Sequence, residues 1–223
     1  MSITDNNENI MTLKQWQNVY KNPYALIVQA SVKDGSDSWQ EFPIGMCYGY
    51  SQCDFHSPKL QIGNHEKTVF CGITLANDSR RRRHLPVNRE TIMKILNNNN
   101  IFNKSIPCKD YFEQLPDYKF VISPEGNGID CHRHYEALLA GCIPIMEYNP
   151  LTQFKYRNLP VLYTRDYSEI NEDYLNKVYL EMKDNTYDFS SLFLSSYNEE
   201  QRQRIYDSGN FWCSRLANTV FYR

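Results

Sequence analysis

Between Lys119 and Glu147 the chain reads KFVISPEGNGIDCHRHYEALLAGCIPIME, and there His132, Arg133 and Glu136 stand where the pattern opens a helix. A guanidinium, an imidazole and a carboxylate on the first turns of a helix can grip and orient an anion. The apolar run Phe120-Val121-Ile122 predicts a strand leading into them, and Pro124 to Gly128 predicts a glycine-punctuated loop. The helix then opens near Asp130, stops at Gly141, and Ile143 to Met146 forms a second strand. A β-loop-α-β unit of this kind gathers unpaired backbone N–H groups at the positive end of a helix dipole, which suits a phosphate. Ser123, Glu125, Gly126, Asn127 and Gly128 lie in or beside the loop, and its glycines permit close backbone approach. The segment therefore predicts a site for an anionic, nucleotide-containing ligand.

Other readings of the same residues compete. Arg133 and Glu136 could form an ordinary i,i+3 ion pair on a helix surface. His132, His134 and Glu136 have spacings that can ligate zinc, although helix geometry turns His134 away from the other two. Cys131 beside His132 does not make a nucleophile pair, because neighbours on a helix do not face each other. The run Arg80 to Arg83 follows the strand Thr68 to Ile73, at the sheet edge where open α/β folds bind ligands. Arg80 or Arg83 could hold a second phosphate there, or the run could be a solvated basic loop.

The surrounding elements must position these groups. Strands alternate with helices from about residue 67 onward, which predicts an α/β fold with a mainly parallel, Rossmann-like sheet. Asn88 is placed to cap a helix over Arg89 to Leu96, and Glu172 to Met182 and Glu199 to Asp207 also read as helices. A further helix reaches Val220, and Tyr111 to Leu115 and Val161 to Tyr163 supply shorter pieces. The first 66 residues form a reduced N-terminal region and residues 67–223 the ligand-binding domain. Within the former, Leu13 to Tyr20 reads as a short helix, Tyr24 to Val32 as a strand, and Pro58 to Lys67 as a polar linker.

The order of parts resembles the nucleotide-sugar-binding half of the GT-B glycosyltransferases, most closely the exostosin-like family. The carriers are Ser123-Pro124-Glu125-Gly126 after a strand, Arg133 near the helix start, and the run Glu136-Ala-Leu-Leu-Ala-Gly-Cys-Ile-Pro-Ile145. The α1,3-fucosyltransferases have a similar segment, with lysine at the place of Arg133 and aspartate at that of Glu136. The resemblance implies that a donor diphosphate crosses the helix N-terminus against Arg133, whose planar fork suits phosphate. It further implies that Glu136 accepts hydrogen bonds from ribose hydroxyls, while His132 and Glu125 meet the sugar or the second phosphate. The implied activity moves a sugar from a nucleoside diphosphate sugar to a carbohydrate acceptor, with inversion.

No Asp-x-Asp motif occurs, which favours a metal-independent mode in which the helix dipole and basic groups stabilise the leaving nucleotide. No cofactor is expected, the sugar nucleotide being a co-substrate. An acceptor hydroxyl needs a base, for which Asp54 and His56 are the candidates, following the aromatic-glycine stretch Tyr48-Gly49-Tyr50. Asp34, Asp37 and Glu41 are further acidic positions in that region. The N-terminal region is far shorter than a full acceptor domain, so two alternatives stand beside the enzyme. One is a non-catalytic sugar-nucleotide or glycan-binding module; the other is a subunit whose acceptor half comes from a partner chain.

Bulk properties exclude other classes. A net charge of −2 and a pI near 6.2 argue against a general nucleic-acid binder. A mean hydropathy of −0.62 and the lack of a long apolar run argue against a membrane span. The seven cysteines show no CxxC pair, as expected of reduced thiols in the cytoplasm. The N-terminal MSITDNNENI reads as neither a signal nor a transit peptide.

Overall fold

The structure, a computed structural model, describes residues 61–192, 196 and 198–200, together with the backbone of two short strands at 27–29 and 39–41. Those strands, β1 (Ile27–Gln29) and β2 (Trp39–Glu41), pair in parallel with Ile27 opposite Trp39. The predicted helix over 13–20, all but the first two residues of that over 199–207, and the last helix reaching Val220 lie outside the described residues.

The remaining elements build one α/β unit. In chain order they are β3 (Lys67–Phe70), α1 (Ser79–Arg82), α2 (Arg89–Asn98), α3 (Cys108–Gln114) and β4 (Tyr118–Ile122), then α4 (His132–Leu139) and β5 (Ile143–Glu147). After these come α5 (Pro150–Lys155), β6 (Leu162–Thr164) and α6 (Glu172–Met182). Strands β3 to β6 form a four-stranded, all-parallel sheet in the order of the chain. Phe120 faces Ile143 across the β4–β5 ladder, and Ile145 faces Leu162 across β5–β6.

Strands covered on both faces read as unbroken apolar runs rather than alternating ones, as Phe120–Ile122 of β4 and Ile143–Met146 of β5 do. On one face Phe120, Ile122, Ile143 and Ile145 pack with Ile92 and Leu96 of α2 and with Leu175 and Val178 of α6. On the other, Phe70, Val121 and Cys142 pack with Ala137 of α4 and with Leu115, just after α3. Helices on both faces of a parallel sheet make the fold Rossmann-like, as the alternating pattern predicts.

Local chemistry explains the boundaries. Asn88 and Thr91 exchange side-chain-to-backbone bonds of 2.9 Å at the start of α2, a reciprocal cap. Helix α4 ends in a Schellman turn: Cys142 N donates to Ala137 O at 2.9 Å and Gly141 N to Leu138 O at 3.1 Å. Gly141 takes φ 78° there, which a side chain resists. Strand β3 stops earlier than the apolar run Thr68–Ile73 suggests. Beyond Phe70 the chain leaves the sheet, and the Asn103 amide takes both the N–H and the C=O of Ile73.

Three expectations are corrected. The polar segment before Lys67 is no free linker in its last residues, because the buried His65 ring contacts Pro116 O and Gly141 O. Gly63 is held as well, its carbonyl accepting from Tyr179 Oη at 2.6 Å. The stretch after β3, read as a loop, coils into a 3-10 turn and α1. Helix α5 was not anticipated, although Asn149 caps it and Pro150 opens it, a standard start signal.

Candidate functional site

The C-terminal ends of β3 and β4 release two loops, 71–78 and 123–131, and a cavity of about 680 Å³ opens where they meet the first turns of α4. Its shape depends on the second loop, which a set of buried charges holds in place. Arg89, at the first position of α2 and 4% exposed, points its guanidinium at three carbonyls. It donates to Thr74 O at 3.0 Å, Pro124 O at 3.0 Å and Glu125 O at 2.9 Å. Gly126 lies so close to this fork that an added Cβ would meet Arg89 Nη2 at 2.9 Å. From behind, the Glu125 N–H donates to Glu147 Oε2 at 2.9 Å, and Arg82 ties Glu147 down at 2.7 Å.

The far end of the loop is pinned by Asp130. Its carboxylate is fully buried and accepts from Lys155 Nζ at 2.5 Å, Tyr135 Oη at 2.8 Å and Tyr156 Oη. His134, also fully buried, is hydrogen-bonded to Ser123 Oγ at 2.7 Å. Burial depresses its pKa to about 4, so the ring stays neutral as part of the support behind the loop.

Helix α4 follows with Cys131 at its N-cap and no side-chain cap bond. Of its first-turn N–H groups, that of His134 donates to Cys131 O at 3.0 Å, and the helix start carries no side-chain cap. Arg133 enters the cavity from this turn, half-buried, its guanidinium 5.9 Å from the Tyr111 ring centre. Its Nε is buried without a hydrogen-bond partner. Burial acts to lower the Arg133 pKa, but Tyr111 and Glu136 outweigh it and the net shift is upward, so the side chain keeps its charge. Glu136 is not its ion-pair partner; the carboxylate, 5% exposed, accepts from Tyr111 Oη at 2.8 Å. Burial pushes the Cys131 thiol up to about 12, which leaves it un-ionised and poorly nucleophilic.

The structure brings together Gly126, Asn127, Gly128, His132, Arg133 and Glu136, all lining the one cavity. It does not bring the other expected residues there. Arg80 and Arg83 are exposed and outside the lining; Arg81 and Arg82 are the pair that turns inward. Arg81 donates to Glu125 Oε2 at 2.6 Å and to Gly126 O at 3.1 Å, so this run buttresses the loop from behind. Glu125 is engaged by that contact rather than facing a ligand. Ser123 is wholly buried behind the loop. The zinc alternative meets the same geometry, since His134 points to Ser123 while His132 and Glu136 line the cavity. Asp54 and His56 lie outside the described residues.

Sequence reasoning missed Arg89, Lys104, Tyr111 and Asn103, which also line the cavity. Arg89 had a signal, a basic residue just after a capping asparagine, but nothing local says that it reaches the loop 36 residues later. No protein-family model matches this chain, and no curated protein matches it in sequence.

The arrangement can bind a multiply charged anion. Arg89, Arg133 and Lys104 contribute three cations. Against them stand two carboxylates, Asp130, already neutralised by Lys155, and Glu136, bonded by a hydroxyl. An anion entering here meets helix-start amides and guanidinium together, the two features that favour phosphate.

Proposed function

We propose that the cavity is the donor site of a glycosyltransferase that moves a sugar from a nucleoside diphosphate sugar to a carbohydrate acceptor, with inversion and without a divalent ion. The observation that carries this reading is the partnerless, buried Arg133 Nε beside an uncapped helix start and a glycine loop. A buried guanidinium N–H without an acceptor is costly, and a phosphate oxygen supplies the missing partner. Glu136, a turn further along the same cavity, suits the ribose hydroxyls, which can replace Tyr111 as its donor. The loop glycines let backbone amides approach the diphosphate.

In this mechanism the chain's own groups neutralise charge as it develops on the leaving diphosphate. The acceptor hydroxyl loses its proton to a base from the N-terminal region, where Asp54 and His56 remain the candidates. The reading is tested by thermal shift of the full chain against UDP-, GDP- and dTDP-sugars without added metal. A donor that binds the native state raises its melting temperature by mass action. Arg133→Ala should shrink the rise at the same donor concentration, and an unchanged rise in that variant would overturn the assignment.

One observation favours a second reading, a sugar-nucleotide-binding module without turnover. Both carboxylates lining the cavity are already engaged, Asp130 by Lys155 and two tyrosines and Glu136 by Tyr111. Donor binding accompanied by neither transfer nor hydrolysis would decide for the module.

A further inference from the structure

Lys104 lines the cavity but has no role in the donor site as described so far. It sits beyond α2 on the segment that runs beside the end of β3, its backbone N–H donating to Cys71 O at 2.8 Å. Arg133 enters from α4 instead. The charge of Lys104 is poorly compensated: its Nζ donates to Tyr118 Oη at 2.9 Å and lies 5.1 Å from that ring's centre, both neutral contacts. Among the described residues no carboxylate pairs with it. Lys67, Arg81, Arg82 and Lys155, by contrast, each pair with one.

Arg133 and Lys104 line the same cavity, and the Lys104 ammonium rests on Tyr118, which shares a neighbouring pocket with it. The Cys71 thiol, which burial pushes up to about 11, feels both Arg133 and Lys104 pulling it back down. The end of β3 therefore lies within electrostatic reach of both. Two cations on different walls of one cavity suit a ligand with two linked anionic groups better than a ligand with one. A flexible lysine stem can swing its head group a few ångströms while a guanidinium held beside a helix cannot.

Resting on the donor reading above, we propose that Lys104 is the second cation of the phosphate site. It leaves the Tyr118 hydroxyl to take one phosphate of a diphosphate while Arg133 holds the other. Lys104 then fills the place that the sequence suggested for Arg80 or Arg83. It would also make the site selective for diphosphates over monophosphates.

The test uses the full chain, inorganic pyrophosphate and inorganic phosphate, with affinities from titration calorimetry. The wild-type protein should prefer pyrophosphate. Lys104→Met, which keeps the apolar stem, should lose about tenfold or more for pyrophosphate and little for phosphate, the scale of one charge-assisted contact. Arg133→Ala should weaken both ions. Tyr118→Phe frees Lys104 without removing it, so this variant should retain pyrophosphate affinity. Unchanged pyrophosphate binding in Lys104→Met, with Arg133→Ala impaired, overturns the role of Lys104 and leaves the donor site standing. A loss in Tyr118→Phe equal to that in Lys104→Met would mark the Lys104–Tyr118 contact as structural and also overturns it. Absence of pyrophosphate binding to the wild-type chain removes the phosphate reading itself, and this inference with it.

Discussion

Arg133 and Gly126 show how single residues set the properties of this cavity. The guanidinium of Arg133 has a buried Nε with nothing to donate to, so a bound anion would supply the acceptor that this nitrogen lacks. Arg133→Ala should weaken binding of the donor identified by thermal shift by about 1–3 kcal/mol, the usual worth of a hydrogen bond to a charged group. Calorimetry on the folded variant measures it directly. Gly126 is required for a different reason. A methyl group there meets Arg89 Nη2, and that nitrogen cannot retreat freely because it is bonded to Pro124 O. Gly126→Ala should cost about 1–3 kcal/mol by overpacking. Urea unfolding should show the loss as a lower midpoint with an unchanged slope.

At the scale of elements, the loop between β4 and α4 is held by charges from three neighbouring parts of the fold. Arg81, Arg82 and Arg89 grip it from the β3 side, Glu147 from the end of β5, and Asp130 ties it to Lys155 at the end of α5. The backbone amides are thus fixed before an anion arrives, and preorganised donors bind more tightly than ones that must be ordered. His134 makes this support sensitive to acid. In the folded chain it remains neutral down to about pH 4, whereas an unfolded histidine titrates near 6.5. Between those values the unfolded chain binds the extra proton, so stability rises with pH across the window and falls as the pH drops through it. The His134 contribution is fully present above about pH 6.5 and amounts to at most about 3 kcal/mol. Urea unfolding at pH 7 and at pH 4.5 should show the difference, and His134→Gln should flatten it.

For the molecule as a whole, charge is unevenly placed. The chain carries a net charge of −2, yet Arg89, Lys104 and Arg133 all line one cavity. An anion would therefore be drawn to a positive region on a weakly negative protein. Donor affinity should fall as salt is raised from about 0.1 M towards 1 M, where the screening length shrinks from about 10 Å to about 3 Å. The Arg133→Ala variant should show a shallower dependence, which titration at several ionic strengths would reveal. The exposed Arg80 and Arg83 could only steer at long range, and their removal should leave affinity at physiological salt nearly unchanged.

Much of the frame was legible in the residues alone. The unbroken apolar runs of β4 and β5, the capping asparagine of α2 and the glycine ending α4 are local signals, and local sterics and hydrogen bonding make them reliable. The six residues of the loop and of α4 that share the cavity could be read for the same reason, since loop and helix follow each other in the chain. Which arginine of the run Arg80 to Arg83 turns inward was beyond such reasoning. That is decided by Asp78, Glu125 and Glu147, two of them more than forty positions away, whose carboxylates compensate the buried charge of Arg82. The places of Arg89, Lys104 and Tyr111 were likewise settled only when the sheet laid the end of β3 beside the start of α4. Sequence specified the elements and their caps because those depend on neighbours in the chain; tertiary structure chose the charges that line the cavity because only the packed sheet brings the end of β3 beside the start of α4.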